Sequence, residues 1–452
     1  MKFKIALWLS KLAAYLIKLI FPGRGTDFPG MLAYKIDKNF MLGFTDIDPE
    51  KVIFITGTNG KSTTTNLLYH TLTQAGKKVI ANLSGSNMLN GAASVLISGS
   101  NLAGKIDADY ILIEVDERSF PYIIRHLSGR NIVITNIMQD QVHRNGDPDF
   151  IYQILRKYMP ENMRMFLNND EPRSKSYEDL AGEVRYFGVS KNSLSYNKEG
   201  KYEVTLPCPY CSAPIRFEYM NSTNEGEFYC THCNFSSSLA NTVMVENVDF
   251  DKKTFEVGGI THIMPYDTPI MLYNYAAVSC VCNYLGIENE KISAALSNFV
   301  NIEGRDEIIT YKGKDIHILR NKNGNPETVR MCVDAIAKDE GEKLIVIGLC
   351  IIPERRPKFV PHYTNTYYAY ETDFTPLRGS LGKILIFSDY IAMDQVNRLY
   401  YDGFTEDEVD FIDSEDPKTV LDEIVKYDYD KIYLVAPLRN IKFFKSFIKK
   451  GQ

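Results

Sequence analysis

Short continuous apolar runs punctuate the first 170 residues, and stretches with helical spacing separate them. The runs are Lys51–Ile55, Lys78–Asn82, Tyr110–Val115, Asn131–Asn136 and Met165–Asp170. Runs this short without alternation predict strands buried on both faces, as in a parallel sheet covered by helices. Helices are expected over Thr65–Leu72 and Phe150–Tyr158. From about Asn192 the chain turns polar and rich in tyrosine, and helical spacing returns at Tyr273–Cys280. A second strand–helix alternation follows Gly304-Arg305-Asp306. It has strands at Ile316–Leu319, Lys343–Ile347, Lys383–Phe387 and Lys431–Val435, and helices at Pro326–Lys338 and Asp394–Tyr401. The pattern predicts an α/β protein with a large parallel-rich central domain, a polar insertion in it, and a smaller C-terminal α/β domain. The boundaries fall at 1–45 for a helical lead-in, 46–305 for the central domain with its insertion at about 200–240, and 306–452 for the last domain.

The lead-in is apolar and basic over Ala6–Phe21, but Lys11 and Lys18 interrupt it, so it makes a poor membrane span. Pro22-Gly-Arg-Gly follows in place of a small-residue cleavage site, which argues against a secretion signal. Two readings stay open: a helix docked on the protein body, or an interfacial helix in peripheral contact with an anionic membrane surface. The expected location is cytoplasmic, with the inner face of the membrane as the second option. The net charge of −6 argues against nucleic acid as a partner, since phosphodiester binding wants a basic face.

Chemistry concentrates in three places. The first is Gly57-Thr-Asn-Gly60-Lys61-Ser62, which joins a strand to a helix. Turn and helix N-terminal N–H groups in that geometry face an anion, Lys61 adds a positive charge, and the Ser62 hydroxyl can hold Mg²⁺. The second is Glu114, which closes a strand beside Asp116 and Glu117, where a carboxylate can complete the Mg²⁺ shell. The third is the spacing Cys208-x₂-Cys211 and Cys230-x₂-Cys233, which places four thiolates for one structural Zn²⁺. His232 is a spectator in that scheme, and Cys280, Cys282, Cys332 and Cys350 read as core residues.

The shortened loop resembles the ATP loop of the Mur ligase superfamily. Further segments follow in that family's order: Val115-Asp-Glu, Asn136-x₃-Asp140, Leu167-Asn-Asn-Asp-Glu-Pro172, Tyr186-Phe-Gly188, Tyr273-Asn274-x-Ala-Ala and Gly304-Arg305. Within the family the chain is most similar to the MurT branch. It shares Gly25-Thr-x-x-Pro-Gly30, Asn87-Met-x-x-Gly91, the four-cysteine insertion and Asn321-Lys-Asn-Gly-Asn-Pro-Glu327. The resemblance implies that Thr58, Asn59, Gly60, Lys61, Ser62, Thr63, Asn274 and Arg305 bind ATP, with Mg²⁺ on Ser62 and Glu114. It implies an ATP-dependent carbon–nitrogen ligase acting on lipid II or a related cell-wall precursor. A substrate carboxylate, the α-carboxylate of D-glutamate in that branch, becomes an acyl phosphate. Ammonia from a GatD-like glutamine amidotransferase partner then attacks it. The chain departs from the branch at Ile351, which stands where the branch has an Asp thought catalytic. Glu371 and Asp373 are the acids expected to take over. The alternatives are a different acceptor, or a paralogue that only binds ATP and a partner.

Overall fold

The computed structural model describes residues 1–20, 26–83, 85–140, 145, 147–197, 206–238, 240–300, 306–322, 325–348, 372–388 and 392–451. Cα packing divides the chain into two compact units, one of Met1–Met138 with Pro148–Asn301, the other of Gln139–Asp147 with Ile302–Gln452.

The first unit holds eleven strands among the described residues: β1 Val52–Thr56, β2 Val79–Ala81, β3 Tyr110–Glu114, β4 Asn131–Ile134, β5 Arg164–Asn168, β6 Glu183–Val189, β7 Ile215–Ser222, β8 Glu225–Cys230, β9 Thr242–Asp249, β10 Thr254–Val257 and β11 Ile260–Ile263. Nine of them form one sheet in the order β11-β10-β9-β6-β5-β4-β1-β3-β2. The pairs from β2 to β9 are parallel, while β9–β10 and β10–β11 are antiparallel. β1 is central and buried at every position, which explains its unbroken Val-Ile-Phe-Ile. One face packs Val52, Phe54, Ile113 and Ile132 against the N-terminal helices Lys2–Ile20 and Phe28–Ile36 and the helix Leu89–Gly99. The other packs Ile53, Ile55, Leu112 and Val133 against the helices Lys61–Gln74 and Pro269–Tyr284. Gly30 has a packing reason: a Cβ there would lie 2.0 Å from the Asn90 carbonyl oxygen, so only glycine lets its helix pass so close.

The sequence reading missed β6, β9, β10 and β11, which lie in or beside the polar stretch. β7 and β8 form a separate hairpin. It sits between β6 and β9, which are neighbours in the sheet.

The second unit has a six-stranded sheet of β12 Asp306–Tyr311, β13 Lys314–Asn321, β14 Leu344–Gly348, β15 Lys383–Phe387, β16 Val409–Ile412 and β17 Ile432–Pro437, ordered β12-β13-β17-β14-β15-β16. Only β12–β13 is antiparallel. β12, β16 and the helix Leu438–Gly451 add to the expected elements.

Candidate functional site

β1, β3 and β4 run parallel and in register, so Thr56, Glu114 and Ile134 end at one edge of the sheet. Ligands of such sheets bind at that edge. The loop after β1 enters the helix Lys61–Gln74 through Gly60, whose φ of +83° belongs to the left-handed region. A side chain there would also strike Asn274, since a Cβ would lie 2.4 Å from Asn274 Oδ1. Gly57, at φ +125°, is crowded by Thr135 Oγ1 at 2.2 Å in the same sense.

The loop is braced from β4 and the residues after it. Thr58 N donates to the Asn136 carbonyl at 2.7 Å, and Asn59 N to Asn136 Oδ1 at 2.8 Å. The Thr135 hydroxyl donates to the Asn59 carbonyl at 2.7 Å. Two of the predicted anion donors, the Thr58 and Asn59 amides, are thus spent on scaffolding. The first turn of the helix, Lys61 to Thr63, carries N–H groups that have no acceptor within the helix. It gives the loop its anion-facing character.

Lys61 is buried. Its ammonium donates to Glu117 Oε1 at 2.9 Å, to the Thr58 carbonyl at 3.3 Å and to the Gly57 carbonyl. Ser62 Oγ donates to Glu114 Oε1 at 3.0 Å, and Asn87 Nδ2 donates to the same oxygen at 3.1 Å. Burial raises the carboxyl pKa of Glu114, opposed by the charge of Lys61 and these hydrogen bonds. Its other oxygen, Oε2, is buried and has no hydrogen-bond partner among the described residues. A buried carboxylate oxygen beside a serine hydroxyl is a hard-oxygen donor set suited to Mg²⁺. The predicted pair Ser62 and Glu114 is brought together. Asn274 lies in the helix Pro269–Tyr284, buried, and its Oδ1 accepts from the Thr64 hydroxyl at 3.1 Å. Arg305 lies outside the described residues.

Glu117, Asn136 and Asn87 were visible only as parts of motifs, and the structure gives them contacts. Glu225 had no signal in the sequence. It is fully buried at the start of β8, and its Oε1 accepts from Asn136 Nδ2 at 3.1 Å and Asn168 Nδ2 at 2.9 Å. Asp170 accepts from Val189 N at 2.8 Å and the Tyr273 hydroxyl at 3.0 Å, and burial pushes its carboxyl up to about 7. Glu171 accepts from the Arg173, Ser174 and Ile137 amides. The Asn-Asn-Asp-Glu-Pro stretch is therefore a buried polar knot under the site.

The four cysteines converge. Sγ atoms of Cys208, Cys211, Cys230 and Cys233 all lie within 4.8 Å of one another, around a small core of Leu206, Ile215, Phe228 and Phe235. The His232 and Cys233 amides donate to Cys230 Sγ at 3.4 Å, the bonding that supports a thiolate. The His232 side chain is exposed. Cys280, Cys282 and Cys332 are buried; Cys350 lies outside the described residues.

In the second unit Asp140 accepts from Lys322 Nζ at 2.6 Å and Asn325 Nδ2 at 3.3 Å, while Asn325 Oδ1 caps the helix Pro326–Ala337 at Thr328 N. Asp373 Oδ1 accepts from the Thr375 amide and hydroxyl, at 3.0 and 2.7 Å. Glu371 and Ile351 lie outside the described residues.

Residues 55–209 match the family model of the Mur ligase middle domain. With the loop, Ser62–Glu114 and the sheet order in place, that match decides the assignment. Over those residues the chain carries a Mur ligase middle domain. It is 27% identical over 353 residues to the lipid II isoglutaminyl synthase (glutamine-hydrolyzing) subunit MurT of Staphylococcus aureus (strain COL), covering 76% of this chain and 77% of that one. Against the same subunit of Streptococcus pneumoniae (strain ATCC BAA-255 / R6) the identity is 25% over 329 residues, covering 68% and 69%. The fold is similar to that of a pseudomurein peptide ligase type C from Methanothermus fervidus, with a TM-score of 0.68, 19% identity and coverage of 90% and 80%. It is also similar to MurF of Thermotoga maritima in complex with ADP, with a TM-score of 0.55, 15% identity and coverage of 93% and 85%.

Proposed function

We propose that this chain is the ATP-dependent subunit of an amide-forming ligase that modifies a peptidoglycan precursor. The observation that carries the reading is the Mur-type loop with its Ser62–Glu114 pair, in a chain similar to MurT subunits over most of their length. Thr58 and Asn59 shape the loop. Gly60, Lys61, Ser62 and Thr63 face the ATP phosphates, and Asn274 and Arg305 complete the nucleotide contacts. Ser62 and Glu114 would hold Mg²⁺, which would supply neutralisation of the phosphate charge. Lys61 must exchange Glu117 for a phosphate oxygen to take part. Cys208, Cys211, Cys230 and Cys233 hold one structural Zn²⁺.

In the full reading, the D-glutamate α-carboxylate of lipid II attacks the γ-phosphorus and ADP leaves. Ammonia then attacks the acyl carbon and phosphate departs, leaving D-isoglutamine. The ammonia comes from a GatD-like glutaminase partner, and Glu371 or Asp373 accepts its proton. The protein supplies positioning and charge neutralisation more than covalent chemistry.

Ile351, in place of the branch's acid, favours a second reading: a paralogue with another acceptor, or one that binds ATP and a partner without amidating. The test is incubation of the chain with Mg·ATP, lipid II, glutamine and the cognate glutaminase, or with high ammonium. Mass spectrometry then reads the conversion of carboxylate to carboxamide. ATP hydrolysis without amidated lipid II under either nitrogen source would select the second reading.

A further inference from the structure

The N-terminal helix Lys2–Ile20 buries only a narrow face, Ala6, Leu7 and Ser10. Its opposite face is as apolar as the docked one. Ile5, Trp8, Leu9, Leu12, Leu16 and Leu19 recur at helical spacing there, and all are exposed, with Leu12 at 55% and Leu19 at 62%. At 3.6 residues per turn, the exposed apolar positions from Ile5 to Ile20 span an arc of about 140°. A helix that needed only to dock would carry polar side chains on this face.

Charge is placed around the arc with the same order. Lys4, Lys11 and Lys18, spaced seven apart, fall in one row along an edge of the arc. Lys11 turns inward to the carbonyls of Ile97 and Ser100, while Lys4 and Lys18 are exposed. Residues 1–26 hold five basic side chains and no acidic one, in a chain whose net charge is −6. Trp8 stands in the arc with its indole N–H donated to the Leu102 carbonyl at 2.8 Å. This holds the ring at the surface beside Leu102, itself 67% exposed. Among the described residues no helix is long and apolar enough to cross a membrane.

We propose that this outward face docks the protein on a bilayer bearing anionic lipid headgroups, with the helix lying in the plane of the interface. The apolar arc sinks to the acyl boundary, Trp8 and Tyr15 sit at headgroup level, and Lys4 and Lys18 pair with lipid phosphates. The charge decides between occupants. A second copy would bring the same basic rim against itself, and the acidic remainder of the chain would be repelled from the lipid, which leaves this helix as the contact. The inference stands on this face alone and does not depend on the ligase reading.

Trp8 is the chain's one tryptophan and reports on the contact directly. The full-length chain is mixed with phosphatidylcholine vesicles, with and without about one-third phosphatidylglycerol, and followed by sedimentation and by Trp8 emission. Expected are binding and a blue shift with the anionic vesicles, weakened by 0.5 M salt on the order expected for screened headgroup attraction. Leu12→Glu with Leu16→Glu should lower partitioning by about tenfold or more, and Lys4→Glu with Lys18→Glu by a similar factor. Both pairs sit on the exposed face, so melting curves should match wild type. No sedimentation and no blue shift would overturn the proposal. So would vesicle binding unchanged in the leucine variant, including the case where wild type is a dimer by light scattering and that variant a monomer.

Discussion

Ser62 Oγ and Glu114 Oε1 meet at 3.0 Å across the carboxyl ends of two adjacent parallel strands. One residue lies in the first turn of a helix and the other closes a strand, so the sheet register and the braced loop between β1 and that helix set their spacing. Burial raises the pKa of Glu114, and one of its oxygens lacks a partner among the described residues. Glu114→Gln should therefore leave folding intact or slightly strengthened while removing the charge proposed to bind Mg²⁺. Turnover of ATP is expected to fall about a hundredfold or more. Calorimetric titration of Mg·ATP and melting curves on the same preparation check both halves.

Lys61 and Glu117 form a buried ion pair at 2.9 Å. Lys61→Ala is expected to weaken ATP binding by roughly 1.5–3 kcal/mol. It also strands Glu117, which should destabilise the fold by about 3 kcal/mol. Adding Glu117→Gln should recover most of that stability and none of the affinity. If affinity returns with stability, Lys61 acts through folding alone.

Elemental analysis of chain purified without chelator should give about one zinc, and Cys208→Ser or Cys233→Ser should lose it. Structural zinc sites of this kind contribute on the order of 10 kcal/mol to local folding. Because Glu225 in the same hairpin bonds Asn136, metal loss should also lower ATP affinity. Wild-type affinity in a zinc-free variant would show that the ribbon folds independently of the site.

Asp170 gives a pH dependence with a definite sign. Its folded pKa, about 7, stands above the ordinary value of 3.8, so the folded state binds the proton more tightly than the unfolded one. Its contribution is complete below pH 3.8 and declines as pH rises to about 7, with a slope of at most about 1.4 kcal/mol per pH unit. Asp170→Asn should flatten the denaturation free energy between those limits. An unchanged slope assigns the trend to other groups.

Asp373 is committed to Thr375 by two hydrogen bonds. Asp373→Asn is expected to cost about 1 kcal/mol of stability with little effect on amidation. Glu371→Gln should slow amidation by about 10²–10⁴ if it carries the proton. Full rates in both variants would rule out relocation of the acid.

The sequence made β1, its loop and the cysteine set legible for separate reasons. β1 is buried on both faces, so its pattern is continuous, and a metal site needs fixed spacing. β6 was hidden because its first three residues include the charged Glu183 and Arg185 and none of the three is buried. Its burial at Phe187 and Val189 comes from the helix Pro269–Tyr284, far along the chain. Glu225 was illegible for a related reason: a carboxylate in a polar hairpin looks solvated until the fold sets two asparagine amides against it. The helix Leu438–Gly451 follows Pro437 directly, a position where proline opens a helix as readily as it ends a strand.

The hairpin leaves the sheet from β6 and rejoins it at β9, and those two strands lie side by side. By topology it is a graft: β6 and β9 are parallel, so the chain must cross back between them, and the hairpin rides on that crossover. Glu225 makes the graft a dependency. A shortened chain would keep its strand order yet take the Glu225 acceptor from Asn136 Nδ2 and one of two acceptors from Asn168 Nδ2, and Asn136 holds the loop amides of Thr58 and Asn59. Any lineage that sheds the cysteines must therefore find another buried acceptor at that spot, or accept a looser loop over the sheet edge.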